Sequence, residues 1–221
     1  MKNSADGAVI NPQWKKLCTS AGHLFTHIEK TLKNREQKSF IYKDGRSRPA
    51  AVLIPIFFKN DQAHILFTKR TDKVATHKGQ ISFPGGSMDK TDPDLLFTAL
   101  RETDEEVGVK AGDVNVLGQT DIFLTNTEFL VTPFVGAYKV PYNYKVNPGE
   151  IERLIEVPLL HLLREDIFKI QQIKRNGYNW NIHYYQFEKD VIWGVTGFLL
   201  SNFLSIIFGL ERDAFVEIET I

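Results

Sequence analysis

A single cysteine, Cys18, stands among 221 residues, so no intrachain disulfide and no cysteine metal site can form, a usage that fits a reducing compartment. Net charge is missing too. Lys+Arg 27 balance Asp+Glu 27, which leaves no uniform basic field to condense on phosphate backbones and argues against nucleic-acid binding. Repeats and low-complexity tracts are absent, and 43% hydrophobic with 24% charged residues excludes the disordered and collagen-like classes. Residues 1–12 hold no apolar core of secretory-signal length, so the expectation is a cytoplasmic protein. One uncharged run, residues 191–210, has the length of a membrane span. Its Thr196, Ser201, Asn202 and Ser205, and the small residues Gly194, Gly197, Ser201 and Ser205 at helical spacing, favour a buried amphipathic helix packed closely on a sheet, with no membrane partner.

The length that remains suits one hydrophobic core with appendages. Residues 1–48 are expected to form an N-terminal helix and connector packed on a domain of residues 49–221. Segment 14–48 carries nine basic and three acidic side chains, net +6, and its Leu24, Phe25, Ile28 and Leu32 recur at helical spacing. The run AAVLIPIFF at 50–58 reads as a strand buried on both faces, turned by Lys59-Asn60-Asp61-Gln62 into the hairpin partner AHILFTKR. Further strands are expected at 114–123, 129–140, 150–157, 167–175 and 178–187, the last two joined by Asn176-Gly177. Tyr178, Trp180, Ile182 and Tyr184 alternate onto one face, either as core or as a surface on which an adenine stacks. With helices at 93–107 and 193–208 the pattern is α+β.

The helix at 93–107 has marked ends: Asp92-Pro93 reads as an N-cap with proline at the first helical position, and Gly108 stands where helices stop. Leu96, Ala99, Leu100, Thr103 and Val107 make one stripe for a sheet, which gathers Glu102, Glu105 and Glu106 elsewhere. Three carboxylates on neighbouring turns repel one another unless they form a solvated face or share a cation. Hard divalent cations, Mg2+ above all, take such oxygen ligands. Arg101, beside Glu102 and four residues before Glu105, can orient a carboxylate. The strand-like Gln80-Ile81-Ser82 leads into Phe83-Pro84-Gly85-Gly86, a glycine turn whose backbone can approach a ligand.

Loop and helix together resemble the signature of the Nudix hydrolases: Gly86, a spacer, then Arg101-Glu102-Thr103-Asp104-Glu105-Glu106-Val107-Gly108-Val109. The spacer is one residue longer than usual, and the acid that most members place within it falls near Pro93. That variation, with Gly85, Gly86, Asp89, Asp92 and Thr98-Ala99-Leu100-Arg101-Glu102, is similar to the coenzyme A pyrophosphatase branch. So are Leu66-Phe67-Thr68-Lys69-Arg70 upstream, and Val131-Thr132-Pro133-Phe134-Val135-Gly136, Asn147-Pro148-Gly149-Glu150-Ile151 and Ile192-Trp193-Gly194-Val195-Thr196 downstream. Thr71 and Ala75 depart from the branch pattern, and Ala75 keeps a second substrate class open.

The resemblance implies a Nudix-type α/β/α sandwich with a mixed β-sheet between helices. It also implies Mg2+- or Mn2+-dependent hydrolysis of coenzyme A or its thioesters to adenosine 3′,5′-bisphosphate and 4′-phosphopantetheine or its acyl form. The alternatives are another nucleoside diphosphate derivative such as ADP-ribose, and a non-catalytic nucleotide-binding module. Glu102 and Glu106 would be metal ligands, with Glu105 a third ligand or the group that orients water. Arg101 would complete the catalytic set, and Glu150 would serve as a further ligand or base. Arg70, Lys78, Gly85 and Gly86 would bind substrate, as could Lys69 and Lys73, while His77 is either a substrate contact or structural. A small-molecule nucleotide substrate and a homodimer are the implied partners. The neutral total also hides a division: residues 89–106 sum to −5 and the rest of the chain to +5.

Overall fold

A computed structural model of the chain describes residues 10–41, 47–72, 78–175 and 178–212. Asn176-Gly177, Lys73, Ala75 and His77, and Lys43, Asp44 and Arg46 of the basic segment, lie outside the described residues. In chain order the elements are α1 (Pro12–Cys18), α2 (Ala21–Lys33), β1 (Ser39–Phe40), β2 (Arg48–Lys59), β3 (Gln62–Arg70), β4 (Ile81–Ser82), β5 (Gly85–Ser87) and α3 (Leu95–Val107). After a 3-10 turn at Ala111–Asp113 come β6 (Asn115–Gln119), β7 (Ile122–Leu124), β8 (Phe129–Ala137), β9 (Ile151–Pro158), α4 (Leu159–Leu162), β10 (Phe168–Arg175), β11 (Tyr178–Phe187), β12 (Asp190–Trp193) and α5 (Gly194–Phe208).

Strand β2 organises the molecule because both of its faces are apolar. It pairs parallel with β8 and antiparallel with β3 and β5, so the sheet is mixed. Ala50, Ile54 and Ile56 face Leu24 and Ile28 of α2 and Leu200 and Phe203 of α5, while Ala51 and Leu53 face Ala99 of α3 and Phe57 packs with Val107. Period-two alternation along one strand thus sorts the helices onto opposite faces, giving the expected α/β/α layering. The β2–β3 hairpin closes at Lys59 opposite Gln62. Its corner residues Asn60 (φ 51) and Asp61 (φ 56) are left-handed, the conformation that a two-residue turn demands and that Asn and Asp tolerate.

Several boundaries move. The N-terminal helix is two helices, α1 starting at a cap in which Asn11 Oδ1 accepts from the Gln13 amide at 2.9 Å. The strand expected at 114–123 breaks at Thr120-Asp121 into β6 and β7, and each piece pairs with β8. The break is held by the Asp121 carboxylate, which accepts from Arg35 (2.5 Å), the Lys38 amide (2.8 Å) and Asn202 (2.9 Å). The uncharged run is not one helix either: its first residues form β12, and α5 starts at Gly194. Helix α5 is buried on almost every side rather than amphipathic. The small-residue stripe does pack on a sheet, since a Cβ at Gly197 would stand 2.4 Å from the His183 carbonyl oxygen, and Ser201 Oγ lies 2.6 Å from both His183 Nδ1 and the Tyr185 hydroxyl. Among the described residues no helix is long and apolar enough to cross a membrane.

Strands β10, β11 and β12 form a second sheet. Arg175 stands opposite Tyr178 in the antiparallel pairing of β10 with β11, as the sequence reading of two adjacent strands expects. The buried face of β11 is that of His183 and Tyr185. Trp180, Ile182 and Tyr184 lie on the other, half-buried face, where Tyr184 stacks on Trp193 across the strands. The core assignment for that stripe is therefore corrected: the odd-numbered face carries the packing.

Candidate active site

Two glycines bring backbone against the acid helix. At Gly85 (φ 154) a Cβ would lie 2.4 Å from the Ala51 carbonyl oxygen, and at Gly86 it would lie 2.5 Å from the Glu102 carboxylate. Strand β5 therefore runs flush against the first acid of the cluster because nothing projects from it. Helix α3 begins two residues later than expected. Its cap is Asp94, whose Oδ1 accepts from the Phe97 amide at 2.7 Å, and it ends at Gly108 in the left-handed conformation (φ 78).

Asp92, displaced from the cap, takes another task. Its carboxylate accepts Arg101 Nε and Nη2, both at 3.0 Å, the Thr98 hydroxyl at 2.9 Å and the Asp89 amide at 3.0 Å. The bidentate guanidinium holds this carboxyl down at about 2. Arg101 is thereby fixed, and its remaining nitrogen Nη1 reaches Glu102 at 3.1 Å and Glu105 at 2.9 Å. Glu105 is more than half exposed and paired with Arg101. Sequence spacing alone did not show that Asp92 and Arg101 would meet, because the cap assignment consumed the aspartate.

Glu106 is the buried member, its side chain 4% exposed. Burial pushes its carboxyl up to about 8, against the pull of Arg70 and a hydrogen bond from the Gly85 backbone and with the push of Glu102 and Glu150. Burial likewise raises Glu102. Arg70, at the end of β3, stands 3.5 Å from Glu106 and 3.8 Å from Glu150. Glu102, Glu106, Glu150, Arg70, Gly85 and Gly86 are thus brought together. Lys78 is exposed on the approach to β4, and Lys69 is drawn off by Glu152 at 3.6 Å.

Among the described residues no three Asp, Glu, His or Cys side chains are drawn together as a closed ligand set. Arg101 holds Glu102 and Glu105 while Arg70 leans on Glu106 and Glu150. The donor chemistry nonetheless fits a hard divalent cation. Glu106 Oε2 is buried with no hydrogen-bond partner among the described residues, a costly state that a cation would relieve.

The model of the NUDIX domain matches residues 47–180. An uncharacterized Nudix hydrolase of Yersinia enterocolitica, NudL, is 38% identical over 71% of this chain and 80% of its own length. NudL of Photorhabdus laumondii is 35% identical over 70% and 82%. Among solved structures, a C. elegans Ap4A hydrolase binary complex aligns with a TM-score of 0.44 and 16% identity, covering 50% of this chain and 80% of that one.

Proposed function

This chain belongs to the Nudix hydrolase family, whose members cleave nucleoside diphosphate derivatives, and from that premise we propose that its substrate is coenzyme A or an acyl-coenzyme A. The products would be adenosine 3′,5′-bisphosphate and 4′-phosphopantetheine or its acyl form. The observation that supports the substrate class is the run from Gly85 to Glu102, with Asp89, Asp92 and Thr98-Ala99-Leu100-Arg101-Glu102 in the branch pattern.

Glu102 and Glu106 are the proposed ligands of Mg2+ or Mn2+, with Glu150 the further acid and Glu105 the outer one. A bound divalent cation supplies charge neutralisation of the diphosphate and a water of lowered pKa. Arg101, gripped by Asp92, orients Glu102 and Glu105. Arg70 faces the two acids from β3 and offers its guanidinium to a phosphate oxygen. Gly85 and Gly86, which admit the β5 backbone to Ala51 and to the Glu102 carboxylate, are the proposed backbone contacts of the diphosphate. Glu150, nearly half exposed at the head of β9, would take a proton from the attacking water. The P–O–P bond is then cleaved by positioned charge, without a covalent intermediate.

The test is a panel of coenzyme A, acyl-coenzyme A, ADP-ribose and dinucleoside polyphosphates incubated with Mg2+ or Mn2+, with products identified by mass. Adenosine 3′,5′-bisphosphate and phosphopantetheine are expected. Preference for ADP-ribose overturns the coenzyme A reading, and turnover of nothing in the panel favours a binding module.

A further inference from the structure

Residues 138–150 leave β8 and reach β9 by crossing the C-terminal end of α3. The last carbonyls of a helix have no intrahelical donor, and here the crossing segment supplies two. The Lys145 amide donates to the Val107 carbonyl at 3.0 Å and the Asn147 amide to the Glu106 carbonyl at 2.9 Å. The close approach depends on Gly108, where a Cβ would stand 2.7 Å from the Lys145 nitrogen.

Asn147 then turns the chain. Its Oδ1 accepts from the Gly149 amide at 3.0 Å, and its carbonyl accepts from the Glu150 amide at 3.1 Å and the Ile151 amide at 2.9 Å, an Asx turn with Pro148 at the corner. Its Nδ2 reaches toward Glu150 Oε1 at 3.5 Å. The Glu150 carbonyl accepts from the Thr71 amide at 2.8 Å, next to Arg70. One residue therefore touches the backbone of the buried acid on one side and both the backbone and the side chain of the loop acid on the other.

We infer that Asn147 is a positioning residue that holds Glu150 in register with Glu106 across the end of α3. The inference rests on the reading of Glu102, Glu106 and Glu150 as the reactive carboxylates. Glu150 is 46% exposed, so packing alone does not fix its carboxylate; its place is set by the turn beneath it. Displacement of a reacting group by about 1 Å costs on the order of a hundredfold in rate, so slack in this turn registers in kcat.

The experiment is a double-mutant cycle with the nucleotide that the panel shows to be hydrolysed, joined to a crystal structure of Asn147→Ala. That variant is expected to lower kcat about tenfold or more at little change in KM and to melt within a few degrees of the parent. Asn147→Ser, whose hydroxyl can accept from the Gly149 amide, recovers part of the loss. In a Glu150→Gln background, Asn147→Ala adds nothing further. Equal losses from Asn147→Ala in both backgrounds, or a loss carried by KM, overturn the inference while leaving the role of Glu150 standing. An unchanged rate in Glu150→Gln removes Glu150 from the reading instead, and a loss in Asn147→Ala beside it overturns the inference as well. The crystal structure decides independently of turnover: the Glu150 carboxylate leaves Arg70 on the inference, and staying within 4 Å of it overturns the inference.

Discussion

Two carboxyls of this site respond to pH in opposite directions. Glu106 is raised from 4.5 to about 8, so between those values the folded chain holds a proton that the unfolded chain releases. Stability of the metal-free protein is then full below about 4.5 and falls as pH rises through about 8, by about 3–5 kcal/mol. Thermal melting in EDTA at pH 5 and pH 8 checks this: the midpoint should drop with pH, Mn2+ should restore it, and Glu106→Gln should flatten the dependence while abolishing hydrolysis. Unchanged Mg2+-dependent turnover in Glu106→Gln would remove Glu106 from the ligand set. Asp92, lowered from 3.8 to about 2, has the usual sign: its contribution stands above 3.8 and is lost as pH falls through about 2. Asp92→Asn weakens the grip on Arg101, and activity is expected to fall about 10–100-fold; wild-type turnover would show that Arg101 needs no anchor. The clustering of Glu102, Glu105 and Glu106 was legible in their helical spacing, whereas their roles are what the resemblance of loop and helix to the Nudix signature implies. The partnership of Asp92 with Arg101 was not legible, because Asp92-Pro93 also satisfies the local rule for a cap and only the tertiary arrangement shows Asp94 taking that place.

At the level of elements, strong periodicity survived and mixed signals did not. The buried strand β2, its hairpin turn and α3 follow from apolar runs and turn chemistry that each admit one outcome. The helix read at 193–208 falls on α5 to within one residue, whereas the few residues ahead of it were too short to show a strand period and β12 was missed, and β11 showed an aromatic stripe on the face that packing left half-exposed. The small-residue stripe of α5 was read correctly as close packing, and it gives a paired prediction. Gly197→Ala drives a methyl group to 2.4 Å from the His183 carbonyl oxygen and should cost about 1–3 kcal/mol. Gly22→Ala on the exposed side of α2 meets nothing within 4 Å and should stabilise by about 0.5–1 kcal/mol. Urea midpoints for the two variants should move in opposite directions; a shared direction would mean that α5 has room to slide from β11.

At the level of the molecule, the −5 of residues 89–106 is less bare than its sum. Arg101 binds Asp92, Glu102 and Glu105, Lys110 binds Asp104 at 2.7 Å, and Arg70 faces Glu106, so the acid helix is held by cations from its own turns and from β3. The basic N-terminal segment does more than balance this charge. Cys18, Leu24, Ile28 and Leu32 belong to the same core as β2 and α5, and Trp14 meets Phe208 edge-on at 6.1 Å. His27 bonds the Ile207 carbonyl at 2.8 Å, and Arg35 reaches the buried Asp121. At about 1.5–3 kcal/mol for each large apolar side chain buried, Leu24, Ile28 and Leu32 together contribute on the order of 5–9 kcal/mol. A domain has about 5–15 in all, so a chain beginning at residue 38 should lose most of its stability although every proposed site residue remains. Uncovered Asp121 adds to the cost, since a buried carboxylate stripped of its guanidinium is among the larger single penalties. Urea unfolding of the shortened chain is expected to show an early, broad transition and little turnover. A cooperative transition at the parental midpoint would mean that α1 and α2 lie on the domain without belonging to its core.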